Sequence, residues 1–510
     1  MRGSNHCIYS YGSGIGGAAV IFYNAKIHTM TSEDSCCGAM EVKHGRITRL
    51  FSEPEAEKIS DLCRNSGFLK SLFYCDLNGA HVYPCLIDPH VHLLLTVAVM
   101  AKGFSASEIT ENGVEPDTLK GIEEKIRSYP DKKHPAAINN YIRSAIKEKR
   151  MPSREELDEW AEGGPVVVYS IDGHSTALSS EMLRLIGIDP KGHSGILSGE
   201  ANENAQEKIT KVIKRSIGVR DLLKGIRAFD RSCREYGICM VGALDDFLTP
   251  VPFLTKTKTR IYLQTKDINK VKRLGLKRIG GCGAWETDGA VGSRSAAFNV
   301  PYLDTKKTAP VYMDASELKE LCRRADEAGL QIASHAIGEA AIEALFEGLS
   351  SVSSDRLHRI EHCEFIDDKT FEKLKCGRFA VVAQPGYSWI DKRYLHTYEE
   401  ALPESVLKRL KFRSFMDNGI IMCGSSDSPV QDLNPFLQMA GMTQFYNEEE
   451  SVTPYQALMT YTVNAAKAME VFKDYGTLEP GKRARFFASR KDFFKLTPGE
   501  ILEFRPERTY

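Results

Sequence analysis

The fold is decided by the stretch Cys85-Leu86-Ile87-Asp88-Pro89-His90-Val91-His92, an apolar strand pattern that ends in two histidines one residue apart. Residues two apart on a strand point to the same face, so His90 and His92 are expected to reach one pocket from the strand's C-terminal end. Two imidazoles that converge from a rigid strand form half of a site for zinc or a similar divalent ion. For the pair taken alone, a surface position or a buried polar cluster is the alternative.

Three further ligand-type side chains end short apolar runs later in the chain: His335, His362 and Asp427. Each lies where a parallel strand would meet its loop. In a (β/α)8 barrel the C-terminal strand ends share one mouth, so residues hundreds of positions apart become neighbours. Taken singly, these residues read equally well as hydrogen-bonded core histidines and a helix cap. All five in this order favour one metal-binding mouth.

Eight strand patterns, with helical patterns such as 315–328 between several of them, predict an α/β fold with a (β/α)8 TIM barrel over residues 83–470. The predicted strands are 83–92, 237–244, 259–264, 277–288, 330–335, 356–364, 379–384 and 419–424.

The remaining segments predict three additions to the barrel. Residues 19–82 and 471–510 alternate short apolar runs with turns, which predicts a small β-sandwich formed from both chain ends. Residues 93–235 separate the first two barrel strands, and so long a gap predicts an inserted lid-like subdomain. Residues 1–18 are rich in glycine and serine and lack an apolar signal core, so we expect a loose tail.

Composition restricts the class of partner. The 510 residues carry a formal net charge of −1, which gives no field to attract nucleic acid or an anionic membrane. The longest mainly apolar run, 93–101, is too short to span a bilayer. The 13 cysteines show no Cys-x-x-Cys spacing, so we expect reduced thiols in a cytoplasmic protein. A small-molecule substrate is the expected partner, and homo-oligomerisation stays open.

Several motifs resemble the amidohydrolase superfamily, and more narrowly its type-three branch, which includes N-substituted formamide deformylase. They cover nearly the whole chain and are specific for the branch but not for a substrate. The motifs are 84–92, Ser334-His335-Ala336-Ile337-Gly338-Glu339-Ala340-Ala341, Arg359-Ile360-Glu361-His362, Gly424-Ser425-Ser426-Asp427-Ser428-Pro429, Asp172-Gly173-His174-Ser175, 288–297 and 475–482.

The chain departs from this resemblance in the fourth barrel strand. Many superfamily members place there a lysine whose carboxylated side chain bridges two metals, but the aligned residue here is Ala284. Cys282 and Glu286 each lie two residues from Ala284, so on a regular strand their side chains would point to the same face as position 284. Glu286 is the preferred bridging ligand because it lies nearer the strand's C-terminal end. Cys282 is the alternative. Lys277 could be the carboxylated lysine only if an extra stretch of residues intervened between it and the aligned position. A mononuclear site, in which Glu286 binds substrate or caps a turn, is also open.

The resemblance implies a hydrolase of a non-peptide C–N bond, in an N-substituted amide, formamide or cyclic amide. It implies one or two divalent ions, preferably zinc, held by His90, His92, Glu286, His335, His362 and Asp427. Asp427 would be the general base towards metal-activated water. His174 and Arg294 are candidate substrate contacts, against a solvated histidine and a structural salt bridge. Because the lysine is missing, a weakly catalytic small-molecule-binding or regulatory protein is the alternative, and ester or lactone hydrolysis a lesser one.

Overall fold

Eight parallel strands form a nearly closed barrel at the centre of the computed structural model, which describes residues 19–64, 73–110, 112–171, 175–245 and 249–510. The predicted tail 1–18 and His174 lie outside the described residues.

The strands are β1 (Val20–His28), β2 (Cys36–Cys37), β3 (Ala39–Lys43), β4 (Arg46–Phe51), β5 (Tyr74–Pro84), β6 (Leu86–Val91), β7 (Gly103–Ser105), β8 (Glu108–Thr110), β9 (Gly113–Glu115), β10 (Ala136–Tyr141), β11 (Val166–Ser170), β12 (Ser175–Leu178), β13 (Ile196–Ser198), β14 (Ile238–Asp245), β15 (Lys258–Leu263), β16 (Arg278–Glu286), β17 (Gln331–Ala336), β18 (His358–His362), β19 (Phe379–Ala383), β20 (Ile421–Gly424), β21 (Phe486–Ser489) and β22 (Arg508–Thr509).

The helices are α1 (Glu53–Arg64), α2 (Leu93–Lys102), α3 (Leu119–Ser128), α4 (Arg154–Trp160), α5 (Ser180–Leu185), α6 (Gly199–Ser216), α7 (Val219–Glu235), α8 (Val251–Leu254), α9 (Ile268–Arg273), α10 (Ala315–Glu327), α11 (Glu339–Ser350), α12 (Asp368–Leu374), α13 (Pro385–Ile390), α14 (Thr397–Ala401), α15 (Glu404–Leu407), α16 (Arg413–Asp417), α17 (Pro435–Thr443), α18 (Pro454–Tyr461), α19 (Val463–Ala468) and α20 (Pro498–Leu502).

The barrel strands pair in the order β6-β14-β15-β16-β17-β18-β19-β20, which confirms the prediction of an eight-stranded parallel barrel. The C-terminal end of β6 meets the residues just beyond the C-terminal end of β20. There Asp427 N donates to His90 O at 2.9 Å and His92 N donates to Ser428 O at 2.8 Å. This junction, called the seam below, places the two histidines of the first strand beside Asp427.

Burial on both faces explains why the barrel strands are so apolar. Every residue of β17, β18 and β19 is buried, as expected for parallel strands covered by helices. At Gly242 in β14 the strands approach closely, because an added Cβ would lie 2.0 Å from Pro89 O of β6. A side chain at position 242 would collide with Pro89 and displace β6, the strand that carries His90.

Strand β16 is interrupted where the sequence predicts a regular ladder. Gly281 pairs with Ser334 of β17, but the next paired residue, Glu286, lies opposite His335. Residues 282–285 therefore leave the ladder as a bulge. Three glycines make this path accessible, since Gly280, Gly281 and Gly283 have φ values of 106°, 121° and 67°.

Both chain ends contribute to one seven-stranded sheet, ordered β22-β21-β5-β1-β3-β4 with β2 beside β1. The segment between the first two barrel strands carries a separate five-stranded sheet, β13-β12-β11-β10-β7. The β-sandwich and the lid stay predictions. Across the described ranges, every helix is too short or too polar to cross a lipid bilayer.

Candidate metal centre

The structure brings His90, His92, His335, His362 and Asp427 together at the C-terminal mouth of the barrel. Asp427 Oδ1 lies 3.1 Å from His90 Nε2 and 3.1 Å from His92 Nε2. The thiol of Cys282 approaches the same nitrogen, at 3.8 Å from His90 Nε2, and lies 3.7 Å from His335 Nδ1 and 3.7 Å from His362 Nε2. Two potential ligand groups therefore share His90: His90–His92–Asp427 and His90–Cys282–His362.

Outward hydrogen bonds orient three of the imidazoles. The backbone carbonyls of Leu244 and Gly289 can only accept, so His92 Nδ1 (3.1 Å) and His335 Nε2 (3.3 Å) carry the protons. His90 Nδ1 likewise donates to the Glu361 carboxylate at 2.7 Å. In their neutral forms these rings therefore direct lone pairs inward, the orientation that metal-ligating histidines adopt.

The spacings around Asp427 and Cys282 are compatible with a shared cation. Asp427 Oδ1 is buried and makes no hydrogen bond of acceptable geometry within the described part of the chain, although two imidazole nitrogens lie 3.1 Å away. Nitrogen and oxygen ligands of one tetrahedral zinc ion lie about 3.3 Å apart, and a thiolate and a nitrogen ligand about 3.5 Å apart. The observed spacings are close to both, so these residues fit a divalent metal.

The bulge in β16 bears on the choice between Glu286 and Cys282 as the fourth-strand ligand. Among the described residues, the ligand groups at the barrel mouth include Cys282 and not Glu286. Parity along a regular strand would favour both, but residues 282–285 do not follow the ladder. Glu286 is half-buried, and this burial raises the pKa of its carboxyl above its ordinary value. The thiol that the sequence offered as the alternative thus lies within 3.8 Å of three of the expected ligands, and a bridging role for Glu286 stays a prediction.

Burial and mutual attraction act in opposite directions on the charges of the centre. Burial disfavours the carboxylate of Asp427, but His90 and His92 outweigh it and hold its pKa well below the usual range. Burial also disfavours the Cys282 thiolate, yet hydrogen bonds with His335, His362 and His90 hold the pKa of this thiol well below its ordinary value. A carboxylate and a thiolate are both forms that bind divalent zinc.

Three non-glycine residues at the centre adopt left-handed backbone conformations. They are Asp427 (φ 56°), His362 (φ 67°) and Cys363 (φ 52°). The turn after β18 is held by hydrogen bonds from Cys363 N to Ala336 O (2.9 Å) and Glu361 O (3.0 Å). Such conformations cost on the order of 1–3 kcal/mol each, and they cluster where a side chain must be aimed at a functional site.

A buried ion pair supports His90 from behind. Arg359 and Glu361 are both fully buried, with Nε–Oε1 and Nη2–Oε2 distances of 2.7 and 2.8 Å. Arg359 Nη2 also donates to Pro89 O at 2.9 Å, and its guanidinium lies 4.3 Å from the Tyr262 ring centroid. The pair fixes both the backbone before His90 and the hydrogen bond to its Nδ1.

Sequence reasoning assigned no role to Arg359, Glu361 or two buried aspartates beside the centre. Asp88 accepts hydrogen bonds from Ser426 N and His90 N, which ties β6 to the loop before Asp427. Asp288 accepts hydrogen bonds from the backbone N–H groups of Ala297, Ile337 and Gly338. The sequence does contain one signal for these residues, because each is a charged residue close to a ligand motif. A charged side chain in such an apolar segment is almost never buried unless it is paired, so a buried partner could have been expected.

We expect Glu361→Gln to weaken zinc binding by about 10–100-fold, because loss of an outer-shell partner of a ligating histidine has effects of that size. It should also lower the melting temperature, because Arg359 would be left as a buried charge without its counter-ion. Competition titration against a chelating dye measures the affinity. Glu343→Gln, which breaks the exposed pair with Lys369, is the control. Wild-type affinity in Glu361→Gln would contradict the support assigned to this pair.

The two predicted substrate contacts have different outcomes. Arg294 forms an ion pair with Asp304 at 2.7 Å and donates to the carbonyls of Val291 and Gly292 at 3.0 and 3.1 Å. These contacts match the structural salt bridge that the sequence left open, and a substrate role for Arg294 stays a prediction. His174 lies outside the described residues.

Comparison with known proteins adds the family. The family model described as the amidohydrolase family matches residues 74–510. N-substituted formamide deformylase of Arthrobacter pascens is 24% identical over an alignment of 546 positions, which covers 96% of this chain and 97% of that protein. Protein LONG AFTER FAR-RED 3 of Arabidopsis thaliana is 25% identical over an alignment of 529 positions, which covers 92% of this chain and 86% of that protein.

Solved structures agree on the fold. An uncharacterized metal-dependent hydrolase from Pyrococcus furiosus is similar with a TM-score of 0.73 and 21% identity, over 94% of this chain and 100% of that chain. A second, from Pyrococcus horikoshii OT3, also has a TM-score of 0.73, at 20% identity over 94% of this chain and 99% of that chain. Since the family model spans most of the sequence and the expected ligand residues converge at the barrel mouth, the chain belongs to the amidohydrolase family.

Proposed function

We propose that this protein is a divalent-metal-dependent hydrolase of a non-peptide C–N bond, in an N-substituted amide, formamide or cyclic amide. Family membership supports a hydrolase, and the name of the Arthrobacter pascens relative supports the bond type. One observation carries the proposal: the Nε2 atoms of His90 and His92 both lie 3.1 Å from the buried Oδ1 of Asp427, which accepts no hydrogen bond within the described residues.

The residues that would hold the metal form two overlapping sets. His90, His92 and Asp427 form one, and Cys282, which also lies beside His335 and His362, approaches the same Nε2 of His90 to form the other. Imidazole, carboxylate and thiolate are all zinc ligands, and the sets provide room for one or two ions. When bound, a divalent ion lowers the pKa of water towards neutrality and polarises a carbonyl oxygen.

Asp427 is the residue that we propose moves the proton. Its carboxylate lies at the seam, beside both histidines of the first strand, and the hydrogen bond from its own N to His90 O fixes its position. From there it would accept a proton from the attacking water and deliver it to the leaving nitrogen. A carboxylate can do both because its two oxygens can face the water and the leaving group in turn.

We expect Cys282→Ala to lower the metal content of the purified protein, and Glu286→Gln to leave it near the wild-type value. The thiol of Cys282 lies within 3.8 Å of three imidazole nitrogens, whereas Glu286 is absent from the ligand groups of the described residues. Elemental analysis after dialysis against a weak chelator gives the stoichiometry. The reverse result would assign the bridging position to Glu286.

The function is tested on protein purified without chelators and reconstituted with zinc. Its turnover should be measured on N-alkylformamides, N-acyl amines, cyclic amides, and esters or lactones with the same side groups. We expect hydrolysis of at least one amide class, lost on metal removal and restored by zinc. Turnover of esters or lactones alone would reject the C–N bond. A metal-loaded protein without any turnover would favour the small-molecule-binding alternative.

A further inference from the structure

Basic residues gather at the end of the barrel opposite the metal centre. Four barrel strands have a basic residue at their first position or within two residues before it: Lys258 for β15, Arg278 for β16, Arg356 for β18 and Arg378 for β19. The N-terminal ends of parallel barrel strands lie on one face, the bottom of the barrel. The formal net charge of −1 for the whole chain therefore conceals a local excess of positive charge.

Arg260 of β15 adds a half-buried cation without a counter-ion. Its side chain points to the same strand face as Tyr262, whose ring is buried inside the barrel. Among the described residues, the Arg260 guanidinium forms no hydrogen bond and no ion pair. Burial and the nearby charge of Arg278 both lower its pKa. A partly desolvated cation beside a like charge is unfavourable unless an anion joins it.

Arg278 and Arg356 share one carboxylate. Arg278 Nη2 lies 3.4 Å from Glu470 Oε2, and Arg356 Nη1 lies 2.8 Å from Glu470 Oε1. The Nε atoms of both arginines are buried and donate no hydrogen bond within the described part of the chain. A single carboxylate thus serves two guanidinium groups, and the hydrogen-bonding capacity of both is incompletely used.

Lys258 and Tyr475 lie beside these arginines. Lys258 shares a strand face with Arg260, and its ammonium lies 5.5 Å from the centroid of the Tyr475 ring. The Tyr475 hydroxyl is buried and forms no hydrogen bond in the described ranges. We call Lys258, Arg260, Arg278, Arg356 and Glu470 the floor cluster. Its four cations and one carboxylate leave a formal charge of +3.

The floor cluster is open to solvent. The side chains of Arg356 and Glu470 are both 29% exposed, and Lys258 is exposed. Arg260 is half-buried, so its guanidinium is partly desolvated but not sealed off. A small anion can therefore reach the cluster from outside without passing through the barrel.

The charge and the donor groups of the floor cluster select the class of anion. The planar fork of a guanidinium pairs with two oxygens of a carboxylate or of a phosphate. A second carboxylate would neutralise one charge, as Glu470 already does. A phosphate group carries a charge of about −1.5 to −2 at neutral pH and three strong acceptor oxygens. A formal charge of +3 with unpaired donors therefore favours the phosphate group.

We propose that the floor cluster binds a phosphate group, of inorganic phosphate or of a phosphomonoester, with Arg260 and Arg278 as its main contacts. The site lies at the opposite end of the barrel from the metal centre and is independent of the proposed hydrolase activity. Bound phosphate would supply the counter-ion that Arg260 lacks and link β15 to β16. A ligand that binds only the folded form stabilises it by mass action.

The test titrates inorganic phosphate, glycerol 3-phosphate and acetate into the wild type, followed by calorimetry and by the melting temperature. Each titration uses both zinc-loaded protein freed of excess zinc and chelator-stripped protein, because phosphate could also reach the metal centre. We expect a phosphate compound to bind with a Kd below about 1 mM in both forms. Acetate should bind about tenfold or more weakly, the effect of losing one charged hydrogen bond. The tighter of the two phosphate compounds identifies the source of the group.

Two substitutions should change phosphate binding in opposite directions. Arg260→Gln should weaken it by about tenfold or more, and without phosphate it should not lower the melting temperature, since it removes an unpaired charge. Glu470→Gln should tighten phosphate binding, because it removes the carboxylate that competes for Arg278 and Arg356. Arg184→Gln is the control, since Arg184 is exposed and forms an ion pair in the inserted segment, far along the chain from the floor cluster.

Each outcome decides for or against the site. Equal phosphate affinity in Arg260→Gln and Arg184→Gln would overturn it, and so would binding that disappears on metal removal. Binding weaker than the expected limit in the wild type would indicate an adventitious ion only. If Glu470→Gln does not fold, the comparison of Arg260→Gln with the control decides. These measurements do not involve turnover, so a failure of the proposed hydrolase activity would leave this inference standing.

Discussion

Replacing His90 with alanine should remove bound metal and reduce turnover by more than about 1000-fold. His90 Nε2 lies beside both Asp427 and Cys282, so its loss removes a ligand whichever of the two groups holds the ion. The loss corresponds to about 4 kcal/mol of transition-state stabilisation, within the several kcal/mol that a catalytic metal supplies. Metal content by elemental analysis and turnover on the best amide should fall together.

His92→Ala refines this expectation because His92 belongs to one group only. It should lose the ion held with Asp427 and keep more residual metal than His90→Ala. The exposed His134, in the inserted segment, provides the control substitution. A His90→Ala/His92→Ala protein that retained stoichiometric metal would reject the first barrel strand as the foundation of the site.

Asp427→Asn should reduce turnover by about 10²–10⁴-fold, the usual contribution of general acid–base catalysis, while most of the metal is retained. The amide has the size of the carboxylate and still offers an oxygen ligand, but it cannot accept the proton. The backbone should tolerate the change, because asparagine is among the residues that adopt the left-handed conformation of Asp427.

Metal stoichiometry separates the two roles of Asp427. A fall in turnover with near-normal metal assigns it chiefly to proton transfer, and a parallel fall in both assigns it chiefly to metal binding. Asp417→Asn, on the exposed face of α16, controls for the loss of one negative charge. Near-normal turnover in Asp427→Asn would exclude the proposed mechanism.

The barrel and five of its mouth residues were predictable because the same local rule produces both. A strand buried on two faces is a continuous apolar run, and its ligand comes directly after the run, as in β17 with His335 and β20 with Asp427. Neither feature depends on distant contacts, so both can be read from a few neighbouring residues.

The choice between Glu286 and Cys282 depended on geometry that alternation does not contain. The prediction assumed a regular fourth strand, but three glycines with positive φ let residues 282–285 leave the ladder. The run Gly280-Gly281-Cys282-Gly283 was the available signal for a bulge. The buried pair of Arg359 and Glu361 was out of reach for a different reason, because only the folded barrel shows that each charge has a partner.

The position of the metal centre at the seam also means that the centre is completed only when the barrel closes. Asp88 and Ser426, which lie 338 residues apart in sequence, are joined there by hydrogen bonds, and His90 and His92 meet Asp427 at the same place. A growing chain therefore has no complete centre until its last barrel strand has been made and has closed onto the first. Metal capture would then report that the barrel is finished, and each bound ion would hold the first strand to the last, favouring the closed form by mass action.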